Sequence, residues 1–263
     1  PARGLLSASL HAIMLASLAM TLAYLGYIDQ ARSRLNEALS EARRLRVAST
    51  LAEVLSVALT VEGIAGSPEM QQRHAEELLA LSTEHGLPAF LAWATVGHGV
   101  SLTALGQGQE GLSLITRGIA GVRATGAVAG TSGALVLLAR AHAMVGQPVD
   151  GLNCLAEAVQ IMETTDDRVR EAPLHRVRGD LLNATGDPSA AERSYQQAIA
   201  VAKLQSAKLS ELQASISLAR LWCKQDRRGD ARDLLAPIFG WFTEGFDTLS
   251  LKEAKALLDE LHA

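Results

Sequence analysis

The sequence is poor in cysteine, proline and aromatic residues. Its 263 residues include only two cysteines, which excludes a disulfide framework and favours a reducing, cytoplasmic location. Seven prolines leave room for long, uninterrupted helices. The net charge of −4 argues against a general nucleic-acid binder. Hydrophobic residues make up 48% of the chain, which excludes a disordered tail and supplies a large core.

The motifs of the common nucleotide-binding and hydrolytic sites are also missing. No Gly-x-x-x-x-Gly-Lys-Ser/Thr loop and no Gly-x-Ser-x-Gly turn occurs. The segment from Gly106 to Gly111 reads Gly-x-Gly-x-x-Gly, but it follows a helical pattern, whereas the dinucleotide fingerprint follows a strand. The histidines include no pair four residues apart, and His74 and His85 fall where a surface is expected. We therefore predict no catalytic residue, no cofactor and no metal site.

An internal repeat of forty residues runs through the chain. A turn residue recurs at this spacing: Gly26, Gly66, Gly106, Gly146, Gly186 and Asp226. Mostly small residues recur seven positions before and five positions after it, and larger apolar residues recur at nine and thirteen positions after it. Such a repeat indicates pairs of helices that pack closely at the small residues and stack on their neighbours. Glycine suits the turn because it adopts a left-handed conformation at little cost.

These repeats predict an all-α fold, a right-handed superhelical solenoid of about six helical hairpins and a C-terminal capping helix. We place the hairpins at about 5–46, 48–86, 88–126, 128–164, 168–204 and 207–240, and the cap at 250–262. Together they form one repeat domain over 1–263. The chain begins without methionine, so we expect a fragment of a larger protein.

The capping helix and the turn before it carry a distinct pattern. Four aromatic residues lie in this junction: Phe239, Trp241, Phe242 and Phe246. We interpret them as a plug for the last hairpin, with a partner-docking patch as the alternative. Ser250 and Glu253 have the spacing of a capping box, in which both would bond to the backbone at the start of the helix.

The first helix is long and apolar enough to resemble a membrane span. Residues 4–28 include no Asp, Glu, Lys or Arg. However, Ala19, Gly26 and Ala31 keep the repeat register through this segment. We therefore expect no membrane span but a first repeat whose outer face is covered by upstream chain. An uncovered face would favour a homodimer.

The order of small and large positions resembles the tetratricopeptide repeat. The best copy contains Gly179, Gly186, Ala191, Tyr195 and Ala198. The forty-residue unit, longer than the usual thirty-four, is similar to the repeats of the maltose regulator and related large ATPase regulators. The segments at 174–182, 191–222 and 236–261 resemble the C-terminal repeats of bacterial signalling proteins with an adenylate or guanylate cyclase or DNA-binding domain and an ATPase module.

This resemblance implies where a ligand would bind. In tetratricopeptide stacks the first helix of each hairpin lines the concave face. Positions on that face hold the residues that we predict to contact a ligand or partner: Trp93, Arg140, Arg176, Asp180 and Arg220. Arginine forks suit carboxylates or phosphates, and tryptophan supplies an anchor. The alternative is a solvated helix face with no binding role.

Two functions remain open at this point. The first is a non-catalytic interaction domain that docks a protein or peptide partner, or its own upstream ATPase or cyclase domain. The second is a sensor that binds a small-molecule effector in the concave groove. An enzyme is the weakest hypothesis, since no catalytic residue is recognisable.

Overall fold

The structure, a computed structural model, describes residues 2–128 and 130–262. Within these residues the chain forms thirteen α-helices and no strand, which confirms the all-α prediction. The helices are α1 (Ala2–Leu25), α2 (Ile28–Leu45), α3 (Ala48–Ala65), α4 (Pro68–Glu84), α5 (Pro88–Ala104), α6 (Gly108–Ala124), α7 (Thr131–Met144), α8 (Pro148–Thr165), α9 (Glu171–Ala184), α10 (Pro188–Leu204), α11 (Lys208–Cys223), α12 (Arg228–Phe239) and α13 (Leu249–His262). The predicted domain ends, Pro1 and Ala263, and Ala129 of the fourth hairpin lie outside the described residues.

Left-handed turns separate the helices at a spacing of twenty residues. All six turn residues of the sequence repeat have positive φ, from Gly26 at 101° to Asp226 at 60°. A second series lies halfway between them, at the predicted ends of the hairpins, and its left-handed conformation was not expected from the sequence; its φ values are 54° to 77°: Arg46, Gly86, Gly126, Asp166 and Ser206. Three residues of this second series are not glycine, which is why composition alone concealed it.

The two helices of a hairpin approach closely at the small residues. A Cβ atom added to Gly99 of α5 would lie 2.6 Å from the carbonyl oxygen of Gly111 in α6. The second hairpin has larger residues at these positions, and Gln71 there is buried and donates a hydrogen bond from Nε2 to the Leu59 carbonyl, 3.0 Å away. The hydrogen bond to the backbone pairs the buried amide of Gln71 at a position where most other hairpins have glycine or alanine.

The chain divides into two compact units. Unit 1 contains Pro1–Ala23 and Tyr27–Ala127, and unit 2 contains Tyr24–Gly26 and Val128–Ala263. In unit 1, consecutive helices from α2 to α6 pack on one another around buried residues such as Leu35, Leu55 and Ile115. In unit 2, α7 to α12 do the same around residues such as Leu135, Leu181 and Leu218. Neither unit depends on a single pair of helices for its core.

Helix α1 carries an uncovered apolar stripe on the surface of unit 1. Four of its side chains are between 45% and 72% exposed: Leu6, Leu10, Met14 and Leu18. Two helical segments, Leu6–Leu25 and Ala48–Ala65, have the length and hydropathy of membrane spans, and 28% and 56% of them are buried. A core helix of a repeat protein passes the same test, since its composition is similar. The homodimer predicted through this stripe stays a prediction.

The capping helix α13 packs on α11 and α12 and buries one apolar face. Leu251, Ala254, Leu257 and Leu258 are all buried. The expected capping box is wrong, because the helix begins at Leu249 and Ser250 lies inside it. The Ser250 hydroxyl instead accepts a hydrogen bond from Gln213 of α11, over 3.1 Å.

Two histidines expected at the surface differ in their environments. His85 is exposed, but His74 of α4 is only 8% exposed, so the prediction for His74 is wrong. Burial lowers the pKa of His74, and the nearby carboxylates of Glu62 and Glu77 oppose this effect only in part. The buried Glu62 carboxylate itself pairs with Arg32, with 3.2 Å between Nη2 and Oε2. This interior cluster joins α2, α3 and α4.

Candidate ligand-binding surface

Helix α7 of unit 2 carries a single formal charge, on Arg140. The neighbouring Leu138, Ala139 and Ala141 are buried, and Arg140 itself is half-buried. Among the described residues, Arg140 has no hydrogen-bond or ion-pair partner. A partly buried charge without a counter-ion is costly, and such groups are usually paired.

The adjacent first helix of a hairpin, α9, packs on α7 and contributes an ion pair. Arg176 donates from Nη1 to Oδ2 of Asp180 over 2.8 Å, one helical turn away. The Tyr195 hydroxyl, on α10, donates to the other carboxylate oxygen of Asp180 over 2.9 Å. Burial, assisted by the charge of Asp180, raises the pKa of Tyr195 far above its usual range, so the phenol stays a donor. Both oxygens of Asp180 are therefore occupied.

The guanidinium of Arg176 is only partly satisfied by this pair. Its Nε atom is buried and has no hydrogen-bond partner. The side chain as a whole is 19% exposed, so the rest of the fork reaches solvent. The buried Nε is closed to solvent, so an acceptor from outside can reach only the exposed part of the guanidinium.

Arg140 lies in the electrostatic field of this group. Burial, together with the positive charges of Arg176 and Arg170, lowers the pKa of Arg140 to about 10, and the negative charge of Asp180 opposes this effect in part. The value remains well above neutrality, so Arg140 is a cation at physiological pH. We call Arg140, Arg176, Asp180 and Tyr195 the arginine cluster. It holds two positive charges against one negative charge.

The other predicted site residues lie elsewhere. Arg220 of α11 is exposed and points an Nη2 atom to Oε1 of Glu253 in α13, 3.7 Å away. This contact occupies the carboxylate that was expected to cap α13. Trp93 is half-buried on α5 in unit 1, whereas the arginine cluster belongs to unit 2. The structure brings together Arg140, Arg176 and Asp180 of the predicted set, and their role in binding stays a prediction.

Sequence reasoning missed Tyr195 as a member of this surface. Its place in the repeat identified it as a packing residue, and its ring does fill the space over Gly179. The available signal was the phenol itself, because a buried tyrosine hydroxyl needs a partner and Asp180 is the acidic residue one position after Gly179.

The arrangement offers hydrogen-bond donors and positive charge, and both oxygens of its one carboxylate, Asp180, accept hydrogen bonds from Arg176 and Tyr195. Within the described ranges, 2–128 and 130–262, no group of three or more His, Cys, Asp or Glu residues is placed to hold a metal ion. The surface is therefore suited to holding an anionic group.

Comparison with known proteins agrees with the repeat architecture. Residues 130–203 match the tetratricopeptide repeat family. These residues include α7 to α9 and most of α10, and with them the whole arginine cluster. No curated protein matches the chain by sequence.

Two similar solved structures extend the likeness over most of the chain. One is NprR in complex with its cognate peptide NprX, at a TM-score of 0.65 and 14% identity, covering 89% of this chain and 66% of that one. Another is the apo form of RapI, at a TM-score of 0.63 and 13% identity, covering 94% of this chain and 85% of that one. At these identities the likeness shows the fold, a helical repeat of the tetratricopeptide type. The chain spans just under two thirds of the length of NprR.

Proposed function

We propose that this chain is a non-catalytic docking domain that binds a peptide or a protein segment on the first helices of the hairpins in unit 2. The observation that carries the proposal is Arg140, a half-buried cation without a counter-ion on a helix that has no other formal charge. A fold gains nothing from such a charge unless something else pairs with it. The solved complex of NprR with a peptide supports a peptide as the ligand.

The domain would act as the regulatory part of a larger cytoplasmic signalling protein. A ligand that binds one packing of the hairpins more tightly than another shifts the population between them, and an attached domain can respond. An adenylate or guanylate cyclase or a DNA-binding domain, with an ATPase module, is the partner domain that the sequence resemblance favours. The ligand would be a separate peptide or a segment of those domains.

Peptide selection tests this function directly. A displayed library of random twelve-residue peptides is selected on the immobilised 263-residue chain, and the enriched sequences are synthesised and measured by calorimetry. We expect peptides that bind with micromolar or better affinity. A chain that enriches no peptide over the bare support would refute peptide docking.

A small-molecule effector is the second candidate, because the few residues of the arginine cluster could also hold the anionic group of a small molecule. Native mass spectrometry of the purified chain distinguishes the small-molecule effector from the peptide. A retained small mass that is lost on denaturation supports the effector.

A further inference from the structure

We infer that the apolar stripe of α1 is a homodimer interface, at which the stripe packs antiparallel on the same stripe of a second copy of the chain. Helix α1 places its small and large side chains in the opposite sense to an ordinary surface helix. Its fully buried side chains are alanines: Ala12, Ala16, Ala19 and Ala23. Its exposed side chains include the large apolar residues of the stripe: Leu6, Leu10, Met14 and Leu18. An amphipathic helix of a monomer would direct these residues into the core.

The neighbouring helix α2 shows the ordinary arrangement. Its buried face contains Leu35 and Leu39, and its exposed face contains ion pairs such as that of Arg34 with Glu37. No such pair forms along α1, because residues 4–28 include no Asp, Glu, Lys or Arg. The four residues of the stripe are spaced four apart and therefore lie along one side of the helix. A continuous exposed apolar surface of this kind marks a contact with another molecule.

The other exposed side chains of α1 add no permanent charge to this surface. From Leu6 onward they are Ser7, His11, Ser17 and Thr21. The Ser17 hydroxyl donates to the Ile13 carbonyl over 3.0 Å, and the Thr21 hydroxyl donates to the Ser17 carbonyl over 2.9 Å. These two hydroxyls therefore need no acceptor from a partner. The surface that fits the stripe is itself apolar and uncharged.

A second α1 is the partner that meets this requirement. Among the described helices, only α5 is similarly free of Asp, Glu, Lys and Arg, and α5 packs between α4 and α6 with most of its residues buried. Symmetric dimers bring the same surface of two copies together. A membrane fits less well, because helices that lie on a lipid surface carry lysine or arginine on their polar side.

The stripe can pack on itself about a two-fold axis. Large residues four apart form a ridge, and the smaller Ser17 and Thr21 beside it leave a groove. An axis through the middle of the stripe sets Leu10 against Met14 of the second copy. The stripe is about 18 Å long and one helix wide, so the interface is smaller than the roughly 800 Å² per partner of tight complexes. We therefore expect a reversible dimer of micromolar affinity.

Sedimentation equilibrium of the 263-residue chain tests the dimer. We expect the average mass to rise from that of one chain toward that of two as the concentration increases through the micromolar range. Leu10→Glu should raise the dissociation constant by about tenfold or more, because the dimer would bury an unpaired charge. Leu204→Glu is the matched control. Leu204 is 87% exposed on α10 and the change in charge is the same, so this variant should dimerise as wild type does.

Complementary charges test the antiparallel arrangement. Met14→Lys alone should weaken the dimer as Leu10→Glu does. An equimolar mixture of Leu10→Glu and Met14→Lys chains should dimerise again, because the two charges then face each other beside the axis. A mixture of Leu10→Glu with Leu204→Lys should not recover. Recovery with Leu10→Lys in place of Met14→Lys would overturn the antiparallel arrangement.

The substitutions leave the core of unit 1 intact, because Leu10 and Met14 are both more than half exposed. Circular dichroism and thermal unfolding verify that the variants keep the helix content of wild type. A chain that stays monomeric up to millimolar concentration overturns the homodimer. A dimer that Leu10→Glu and Leu204→Glu weaken equally overturns α1 as the interface. Sedimentation of a monomeric chain with phosphatidylcholine vesicles, abolished by Leu10→Glu, would overturn the homodimer in favour of a lipid surface.

Discussion

The Tyr195 hydroxyl and the Asp180 carboxylate lie 2.9 Å apart and join the two helices of the fifth hairpin. Asp180 also accepts a hydrogen bond from Arg176. One acidic side chain therefore pairs with a buried phenol and orients a guanidinium. The same contacts that hold the hairpin together also prepare the arginine cluster. The packing of α9 on α10 is therefore coupled to the orientation of Arg176.

Removal of the Tyr195 hydroxyl tests this coupling. We expect Tyr195→Phe to lower the free energy of unfolding by about 1 kcal/mol, because one hydrogen bond is lost and the ring is kept. Asp180→Ala should cost more, about 2–3 kcal/mol, since it leaves both the phenol and Arg176 without an acceptor. Urea unfolding of the variants measures both values.

An exposed ion pair of the same spacing provides the control. Lys255 and Asp259 in α13 also lie four residues apart, and both side chains are about two thirds exposed, at 66% and 65%. Surface pairs of this kind contribute little, so Asp259→Ala should unfold almost as wild type does. If Asp180→Ala were equally mild, the fifth hairpin would not depend on the Asp180 contacts.

The left-handed turns predict opposite effects for two substitutions of matched geometry. Ser206 has a φ of 55° and Gly86 a φ of 62°, and a Cβ at Gly86 would meet no atom within 4 Å. Gly86→Ala should therefore destabilise only through its backbone, by about 1 kcal/mol. Ser206→Gly relieves the same strain and should raise the melting temperature. Differential scanning calorimetry compares the two, and a stabilising Gly86→Ala would contradict backbone strain as the cause.

The sequence predicted the helices well because small and large residues recur at fixed positions of the repeat. The forty-residue spacing of Gly26, Gly66 and their successors places every second turn, and the small residues beside them show where helices touch. The predicted ends of the hairpins place the intervening turns as well, but not their left-handed conformation, since Arg46 and Ser206 reach it without glycine. Helix packing on both sides imposes that conformation, and no local signal reports it.

The candidate site was less accessible to sequence reasoning. Repeat position selected Arg140, Arg176 and Asp180, which the structure places together, but the same rule selected Arg220, which lies next to Glu253 of the capping helix. Position on a helix face cannot show which arginines already have a partner. The pair of Arg220 with Glu253 joins side chains more than thirty residues apart in the chain, and only the structure gives it.

His74 predicts how stability depends on pH. Its pKa is lowered in the folded state because the side chain is buried, so the unfolded chain binds a proton more readily. The stabilisation is complete above the ordinary histidine pKa of about 6.5 and is lost as the pH falls through and below that value. We expect His74→Gln to reduce the loss of stability between pH 7 and pH 5. His85→Gln, at an exposed position, should follow the wild-type profile. Urea unfolding at several pH values decides between a role for His74 and a general effect of the carboxylates.

Ala191 tests the repeat register, because it is fully buried where α10 approaches α9. Ala191→Leu adds three carbon atoms at a position that the forty-residue pattern keeps mostly small, and overpacking of this kind costs about 1–3 kcal/mol. Ala200→Leu is the matched control, because Ala200 is exposed on the same helix and leucine is, after alanine, among the best helix formers. Thermal unfolding of both variants, with circular dichroism to verify the helix content, provides the comparison. A melting temperature that falls for Ala191→Leu and not for Ala200→Leu supports the register. Equal melting temperatures for the two would mean that the hairpin can open to admit a larger side chain, and that small residues at this position do not set the distance between its helices.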